Sequence, residues 1–252
     1  MDAVARLSEL LGPAQRILVF TGAGLSTASG IPDFRGPQGV WTKRSPVYYQ
    51  DYMASEDARR EYWEFKLESW PVFRDARPNA AHHAIVELEK LGKVECVVTQ
   101  NVDGLHQAAG TTRERLIELH GTNREMECSR CKLRESPERC MAEFEQKRVP
   151  PRCLKCGALM KPAVVMFGEM LNTEDLSRAR EASERADLVL ALGSSLVVTP
   201  AADIPLFGVR RGAPYVIVNR GETPHDELAR LRIDGDVVEV LPAALALALA
   251  AS

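Results

Sequence analysis

The chain has 252 residues, of which 45% are hydrophobic, enough for a buried core in one domain with an insertion or in two unequal domains. Its 35 acidic and 32 basic side chains give a formal charge of −3, so no global basic field favours nucleic acid or anionic membranes. No secretory signal precedes the first predicted strand, and the longest apolar run, 241–251, is shorter than the ~20 residues of a membrane span. With six cysteines and no export signal, we expect a globular protein of the cytoplasm that binds neither nucleic acid nor membrane. A monomer is favoured, but the sequence does not determine the oligomeric state.

Short apolar segments alternate with segments of helical periodicity along the chain. Strands are predicted at 16–22, 94–101, 116–121, 163–169, 187–195, 215–221 and 236–242. Helices are predicted at 3–11, 79–91, 173–186, 200–211 and 225–231, with a terminal helix at 241–251. Alternation of this kind predicts an α/β fold, in which helices cover both faces of a parallel sheet.

Two stretches interrupt the alternation. Residues 37–77 contain most of the aromatic side chains and have a helical pattern, and residues 122–160 contain five of the six cysteines. Both are predicted to leave the sheet and to form one small module beside it. The sheet domain then comprises residues 1–36, 78–121 and 162–252, and the small module comprises 37–77 and 122–161. Ligands of open α/β sheets bind at the carboxyl ends of the strands, so the cleft between the two parts is the expected site.

Four cysteines have the spacing of a zinc site. Two Cys-x-x-Cys pairs separated by 21 residues can place four thiolates around one metal ion; these are Cys128, Cys131, Cys153 and Cys156. Four protein ligands leave no open position for water or substrate, so we predict one structural zinc per chain. Cys96, in a predicted strand, and Cys140, on a predicted helix between the pairs, are expected to be inert thiols.

The first predicted strand runs into a glycine-rich loop, "LVFTGAGLSTASGIPDFRG" at 18–36, which is typical of phosphate-binding sites. The loop departs from both common fingerprints, because Thr27 stands where a dinucleotide fold has its third glycine and no Gly-Lys-Ser/Thr follows. The acid expected about 20 residues later is also missing. The loop therefore indicates a phosphate cradle of another kind.

Polar residues follow other predicted strands. Gln100, Asn101 and Asp103 lie at the carboxyl end of the strand predicted in 94–101, after Val98, where they could hydrogen-bond an amide or ribose hydroxyls, although a turn without a ligand would look similar. The turn in "LGSSLVVTPAA", 192–202, has backbone amides that could receive a phosphate. Asn219 repeats this arrangement near the end of the strand predicted at 215–221. These loops are expected along one edge of the sheet.

The histidines supply the candidates for a general base, because imidazole titrates near neutrality. His120 ends the predicted strand 116–121 and is followed by glycine, which directs its ring to the mouth of the cleft. His106 lies in the polar turn after 94–101. Surface positions are expected for His82, His83 and His225.

The motifs "GAGLSTASGIPDFRG", "TQNVDGLHQAAG", "LHG", the paired Cys-x-x-Cys, "KPAVVMFGE", "GSSLVVTPAA" and "VNRGETPHD" occur together and in the order found in the sirtuins. The chain resembles this family, and its bacterial members in particular, over nearly its whole length. The resemblance implies a Rossmann-like NAD-binding domain and an NAD-dependent protein-lysine deacetylase. The alternatives are an ADP-ribosyltransferase or NAD glycohydrolase and, from another class, a zinc-ribbon binding module.

The resemblance also implies residue roles. His120 would be the general base and Asn101 a second catalytic residue. The residues implied to bind NAD are Gly22, Ala23, Gly24, Thr27, Asp33, Phe34, Arg35, Gln100, Asn101, Asp103, Gly193, Ser194, Ser195, Asn219, Arg220, Gly221 and Val237. The residues implied to bind the acetylated peptide as an added strand are Val165, Met166, Phe167, Gly168, Glu169 and Val198.

The implied chemistry cleaves NAD at its ribose and transfers the acetyl group from lysine, giving nicotinamide and O-acetyl-ADP-ribose. Asp33, Phe34 and Arg35 are then expected to form a lid over the nicotinamide side, and Phe34 and Phe167 to exclude water. Members that prefer succinyl or malonyl lysine have a Tyr followed three residues later by an Arg in the segment after the glycine loop. No Tyr of 37–77 is followed in this way, so the resemblance implies neutral acyl groups, acetyl first.

Overall fold

The larger sheet has six parallel strands, arranged in the order β3-β2-β1-β7-β8-β9 in the computed structural model, which describes residues 2–33 and 39–251 and, of Trp41 and Lys43, the backbone alone. Its strands are β1 (Ile17–Thr21), β2 (Val94–Thr99), β3 (Leu116–Glu118), β7 (Leu188–Leu192), β8 (Tyr215–Val218) and β9 (Leu231–Ile233). β1 pairs with β2 on one side and with β7 on the other. Starting from β1, the chain adds β2 and β3 on one side of the sheet and then β7, β8 and β9 on the other side. The predicted α/β class is confirmed.

This change of side has a functional consequence. In open parallel sheets, a crevice for ligands forms where neighbouring connections leave the carboxyl ends of two adjacent strands in opposite directions. β1 and β7 are such a pair, and the segments that follow them begin at Gly22 and Gly193. The fold thus brings together two glycine-containing loops that are 171 residues apart in sequence.

Helices cover both faces of the sheet. α1 (Ala3–Leu11), α5 (Ala80–Lys90) and α10 (Val237–Ala250) share one core cluster with strand residues, and α8 (Thr173–Arg185) and α9 (Ile204–Arg210) share the other. Every residue of β1 is buried, which explains why it reads as an uninterrupted apolar run. Nowhere in 2–33 or 39–251 does a helix combine the length and the apolar character that crossing a membrane requires.

A second, antiparallel sheet lies beside the first, in the order β5-β4-β6. Its strands are β4 (Gly121–Cys128), β5 (Arg134–Glu135) and β6 (Met160–Val164), and it packs with α3 (Tyr49–Ala54), α4 (Glu56–Asp75) and α7 (Pro137–Lys147). α2 (Val40–Lys43) precedes α3 in the chain, and α6 (Leu105–Ala109) lies against α5. The Tyr52 hydroxyl donates to the Met160 carbonyl at 2.6 Å and accepts from Trp63 Nε1 at 3.1 Å. Tyr52, Trp63 and Phe144 belong to one buried cluster with Met160. The helical stretch therefore packs on the cysteine-containing stretch, while the exact domain limits stay a prediction.

Three predicted elements are wrong. The segment 236–242 is the beginning of α10, because Asp236 accepts from the Val238 N–H at 3.0 Å and caps a helix. The segment 225–231 ends as β9, which pairs with β8. The strand expected at 163–169 stops at Val164 and pairs antiparallel with β4 in the second sheet. Short apolar runs fit a helix and a strand equally well, and only the cap and the partner strand distinguish them.

Candidate active site

A cavity of about 890 Å³ opens at the carboxyl edge of the large sheet and extends to the segment after β6. Most residues predicted to bind NAD line it: Gly22, Ala23, Gly24, Thr27, Asp33, Gln100, Asn101, Gly193, Ser194, Ser195, Asn219, Arg220 and Val237. His120 lines it, and so do all six residues predicted to bind the peptide, Val165 to Glu169 and Val198. Asp103 and Gly221 are not among its lining residues. Phe34 and Arg35, part of the predicted lid, lie outside the described residues.

The loops after β1 and β7 touch through their backbones. The Gly22 N–H donates to the Leu192 carbonyl at 3.1 Å, and the Gly24 N–H donates to the Gly193 carbonyl at 2.8 Å. A Cβ atom on Gly193 would lie 2.3 Å from the Leu25 nitrogen, and one on Gly22 would lie 2.8 Å from the Gly193 oxygen. Gly193 also has a φ of +63°, in the left-handed region. Glycine is therefore required here for loop contact.

The same loops present backbone donors to the cavity. Within the ranges 2–33 and 39–251, the N–H groups of Ala23, Ser194 and Ser195 donate to no protein acceptor, and all three residues line the cavity. Amides that converge near the ends of parallel strands form sites for phosphate oxygens. The residues present thus fit a pyrophosphate, although the loop lacks the third glycine of the usual fingerprint.

A chain of buried polar side chains stabilises the glycine loop from behind. Asn101 Nδ2 donates to the Gly22 carbonyl at 3.0 Å and to Ser26 Oγ at 3.2 Å, and Ser26 Oγ donates to Asp103 at 2.8 Å. Asp103 also accepts from the Leu105 N–H at 2.8 Å. Burial raises the pKa of Asp103, and the Leu105 and Ser26 hydrogen bonds oppose that rise. Asp103 itself does not line the cavity, and it is connected to the lining residue Asn101 through the Ser26 hydroxyl.

His120 and Gln100 are joined at the centre of the site. His120 Nδ1 lies 2.9 Å from the Gln100 carbonyl oxygen, and Gln100 Nε2 donates to Ser194 Oγ at 2.8 Å. A carbonyl oxygen can only accept, so Nδ1 holds the ring proton and Nε2 is the basic nitrogen of the neutral ring. The imidazole, the polar turn after β2 and the loop after β7 are thus held in one arrangement.

The segment after β6 is fixed by a buried ion pair. Lys161 is 4% exposed, and its Nζ donates to the Val164 carbonyl at 2.7 Å and pairs with Glu169 at 3.1 Å. Glu169 in turn accepts from the Met166 N–H at 2.8 Å, and the Val165 N–H donates to the His120 carbonyl at 2.9 Å. These contacts hold the predicted peptide-binding segment against the residue predicted to be the base. Sequence alone gave no signal for the Lys161 contact.

Helix α4 contributes four further lining residues that were not predicted from the sequence, namely Glu61, Tyr62, Phe65 and Lys66. Lys66 Nζ donates to Asn123 Oδ1 at 3.1 Å and lies 5.4 Å from the centre of the Tyr62 ring. Burial, together with the charge of Lys161, lowers the pKa of Lys66 to about 8. The helical spacing places Tyr62 and Lys66 on the same face, but the sequence gives no signal that this face reaches the cavity.

The expected surface positions of two histidines are wrong. His82 is fully buried, and its Nδ1 lies 3.0 Å from Oδ1 of Asn79, the N-cap residue of α5. His225 is buried next to the Tyr215 hydroxyl, at 3.2 Å from its Nδ1. His106 is also buried, 2.9 Å from the Thr21 hydroxyl, and does not line the cavity. His120 is thus the histidine that lines the cavity within the described ranges.

The four paired cysteines converge as predicted. Their sulfur atoms all lie within 4.8 Å of one another, with 3.4 Å between Cys128 and Cys156 and 3.7 Å between Cys131 and Cys153. Thiolates at about 2.3 Å from a tetrahedral zinc are separated by roughly 3.8 Å. The cluster is therefore positioned to bind one zinc, at the end of β4 and away from the cavity. Cys96 and Cys140 are buried outside it.

The chain is similar in sequence to the Sir2 family and to proteins named NAD-dependent protein deacetylases. The sequence pattern of the Sir2 family matches residues 22–200. NAD-dependent protein deacetylase 1 of Bradyrhizobium diazoefficiens is 42% identical over 240 residues, covering 95% of this chain and 94% of its own length. NAD-dependent protein deacetylase of Thermotoga maritima is 44% identical over 232 residues, covering 92% of each.

Solved structures extend the similarity to the whole fold. A Sir2 enzyme structure matches with a TM-score of 0.88 and 39% identity, over 100% of this chain and 99% of the other. A complex of Sir2 with p53 peptide and NAD+ matches with a TM-score of 0.85 and 41% identity, over 96% of both chains. A Sir2 complex with deacetylated p53 peptide and 3'-O-acetyl-ADP-ribose has a TM-score of 0.87 and 41% identity, over 96% of both.

The loop contact predicts different costs for two glycine substitutions. Gly193→Ala should lower the free energy of unfolding by about 2–4 kcal/mol, because it adds a backbone clash to the strain of a positive φ. Gly212→Ala is the matched control, since Gly212 has a φ of +93° but open space around it; it should cost about 1 kcal/mol. Urea unfolding of both variants measures the difference, and equal costs would contradict the required contact.

The sulfur cluster predicts bound metal. Elemental analysis should find about one zinc per chain, and Cys128→Ala should lose it and lower the melting temperature, because three thiolates no longer complete the tetrahedral shell. Cys140→Ala is the control, since Cys140 is buried in the same cluster of apolar residues but outside the thiol group. Folded wild-type protein without any metal would refute the zinc site.

Proposed function

This chain belongs to the Sir2 family, and we propose that it is an NAD-dependent protein deacetylase acting on acetylated lysine. The observation that carries the proposal is the cavity in which His120, the Gly22–Gly24 loop and the Val165–Glu169 segment all meet. Relatives named NAD-dependent protein deacetylases support it, as does the similarity to Sir2 complexes with NAD+ and with peptide.

The two glycine loops would hold NAD. The N–H groups of Ala23, Ser194 and Ser195 would donate to its pyrophosphate, and Asn219, which follows β8, would meet the adenine ribose. Gln100 would contact the nicotinamide ribose. When bound, NAD supplies an electrophilic ribose carbon and a cationic nicotinamide leaving group. The protein's contribution is to orient that ribose between His120 and the acetyl-lysine.

His120 is the proposed general base. Its Nδ1 is held by the Gln100 carbonyl, so Nε2 would be the atom that accepts the proton of a ribose hydroxyl of bound NAD. Gln100 would then contact both the base and the ribose.

Asn101 and Asp103 have different proposed roles. Asn101 lines the cavity and holds the Gly22 carbonyl, so it is placed to contact the nicotinamide side of the bound co-substrate. Asp103 is a positioning residue, because it reaches the site through Ser26. Gly221 similarly shapes the loop that carries Asn219 and Arg220.

The acetylated peptide would lie along Val165–Glu169, with Val198 on the opposite side. Added-strand binding uses backbone hydrogen bonds and so tolerates varied substrate sequences. Phe167, whose ring centre is 5.8 Å from that of Tyr48, helps to exclude water from the ribose. Asp33 lines the cavity, and with Phe34 and Arg35 it is proposed to form the lid.

Three further assignments accompany the proposal. The zinc is structural, because four thiolates fill its coordination shell. The protein is proposed to act in the cytoplasm as a monomer on acetylated-lysine proteins or peptides. It is not proposed to bind nucleic acid or membrane, since its charge is close to neutral.

Replacement of the proposed base provides the test. His120→Ala should lower kcat for NAD-dependent deacetylation of an acetyl-lysine peptide by about 10²–10⁴-fold, because the ribose hydroxyl loses its proton acceptor. The Kd for NAD should change little, as the glycine loops are untouched. Chromatography of the peptide measures the rate, and calorimetry measures NAD binding.

The control variant is His83→Ala, which removes an exposed imidazole on α5. It should leave kcat and the melting temperature unchanged. Full turnover by His120→Ala would disprove its role as base, and a wild-type protein that releases no nicotinamide with any acetyl-lysine peptide would disprove the proposed function.

A further inference from the structure

Arg232, the middle residue of β9, donates mainly to backbone carbonyl groups, and its side chain is 21% exposed. Its Nε donates to Asp226 Oδ1 at 3.0 Å, and its Nη1 donates to the Asn219 carbonyl at 2.9 Å. The Gly221 carbonyl accepts from Nη2, and the Ile233 carbonyl accepts from Nη1. Four of the five N–H groups of the guanidinium are therefore used.

These hydrogen bonds join the two ends of the loop between β8 and β9. The carbonyl groups of Asn219 and Gly221 belong to the beginning of the loop, directly after β8. Asp226 lies further along it and also accepts from the Thr223 N–H at 3.1 Å and from the Thr223 hydroxyl at 2.6 Å. A planar guanidinium can hold several oxygen atoms in fixed directions at once. Arg232 thus fixes the shape of this loop from the side opposite the cavity-lining groups.

The other polar contacts of the loop restrain it less. Arg220 Nη2 pairs with Asp236 at 2.9 Å, but the arginine side chain is 75% exposed, and an ion pair of this kind is screened by water and salt. The Gly221 N–H donates at 3.1 Å to Asp234, which is exposed. Among the residues that the structure describes, Arg232 alone donates to both ends of the loop.

The same contacts determine how the Asn219 side chain is oriented. Its Nδ2 donates to the Arg220 carbonyl at 2.9 Å and to the Gly221 carbonyl at 3.1 Å, so the amide nitrogen turns toward the loop. Asn219 lines the cavity, and its Oδ1 accepts no hydrogen bond within residues 2–33 and 39–251. This oxygen is an acceptor that suits a ribose hydroxyl. Because the Gly221 carbonyl accepts from both Asn219 and Arg232, the amide orientation depends on a group that Arg232 holds.

Building on the proposed function, we propose that Arg232 is a positioning residue for NAD. It holds the backbone of 219–221 so that Asn219 presents Oδ1 to a hydroxyl of the adenine ribose. Arg232 is not among the residues that line the cavity, so it acts through the loop and does not touch the co-substrate. Its loss therefore weakens NAD binding and leaves the peptide-binding segment after β6 unchanged.

Calorimetry of NAD binding to the full chain tests this role without reference to turnover. Arg232→Leu should raise the Kd for NAD by about tenfold, because the loop loses hydrogen bonds from a charged donor. In the deacetylation assay the KM for NAD should rise in parallel, while kcat and the KM for the acetyl-lysine peptide should stay within about twofold. A loss of stability alone would not separate the two KM values.

Arg232→Lys is the conservative variant. It keeps a cation beside Asp226 but lacks the planar fork that reaches two carbonyl groups, so it should recover most of the melting temperature and still raise the Kd for NAD by about threefold or more. Arg230→Leu is the matched control, because Arg230 is exposed and its side chain makes no hydrogen bond or ion pair in the described part of the chain. It should change neither the Kd nor the melting temperature.

A double-mutant cycle tests whether Arg232 acts through Asn219. In the Asn219→Ala background, Arg232→Leu should raise the Kd for NAD by no more than about twofold. An unchanged Kd in folded Arg232→Leu or Arg232→Lys, or a full tenfold effect in the Asn219→Ala background, would overturn the positioning role. Wild-type protein that binds NAD but deacetylates no peptide would overturn the proposed deacetylase alone, since the calorimetric comparison still decides the role of Arg232. Wild-type protein that binds no NAD would overturn both.

Discussion

Backbone contact between the loops after β1 and β7 positions the groups on the large-sheet side of the site. The strand order places β1 and β7 side by side, and Gly22, Gly24 and Gly193 let the two loops approach to a distance at which a Cβ atom would clash. This close approach directs the Ala23 and Ser194 amides into one cavity. It also fixes the loop against which Asn101 and Gln100 make their hydrogen bonds. The glycines therefore serve loop packing and, in the proposed function, phosphate binding as well, which accounts for the loop's departure from the dinucleotide fingerprint.

The second sheet completes the site from the other side. β6 ends at Val164, and the Lys161–Glu169 pair then bends the chain so that Val165 reaches the His120 carbonyl. Tyr52 joins the helical stretch to β6 through the Met160 carbonyl, and the sulfur cluster lies at the end of β4 in the same module. Structural zinc would thus act on catalysis indirectly, by stabilising the surface on which substrate binds and α4 packs.

Much of this fold and site could be predicted from the sequence, and the exceptions have physical reasons. Buried strands such as β1 are continuous apolar runs, and residues directly after strands collect at one edge, so Gln100 and His120 could be placed in advance. The segment 236–242 could not, because its apolar run fits either structure and the Asp236 cap decides. Lys66 could not be placed either, since α4 approaches the cavity through contacts between segments distant in sequence. Pattern reasoning finds groups that strand ends bring together, and it misses those that tertiary packing supplies.

In the proposed reaction an acetyl group is transferred in this cavity from lysine to the ribose of NAD. Mass spectrometry of the nucleotide product formed from NAD and an acetyl-lysine peptide tests this transfer. O-acetyl-ADP-ribose should form in amounts equal to nicotinamide and to deacetylated peptide. Free ADP-ribose formed without deacetylated peptide, or ADP-ribose attached to protein as the main product, would contradict it and favour a glycohydrolase or an ADP-ribosyltransferase.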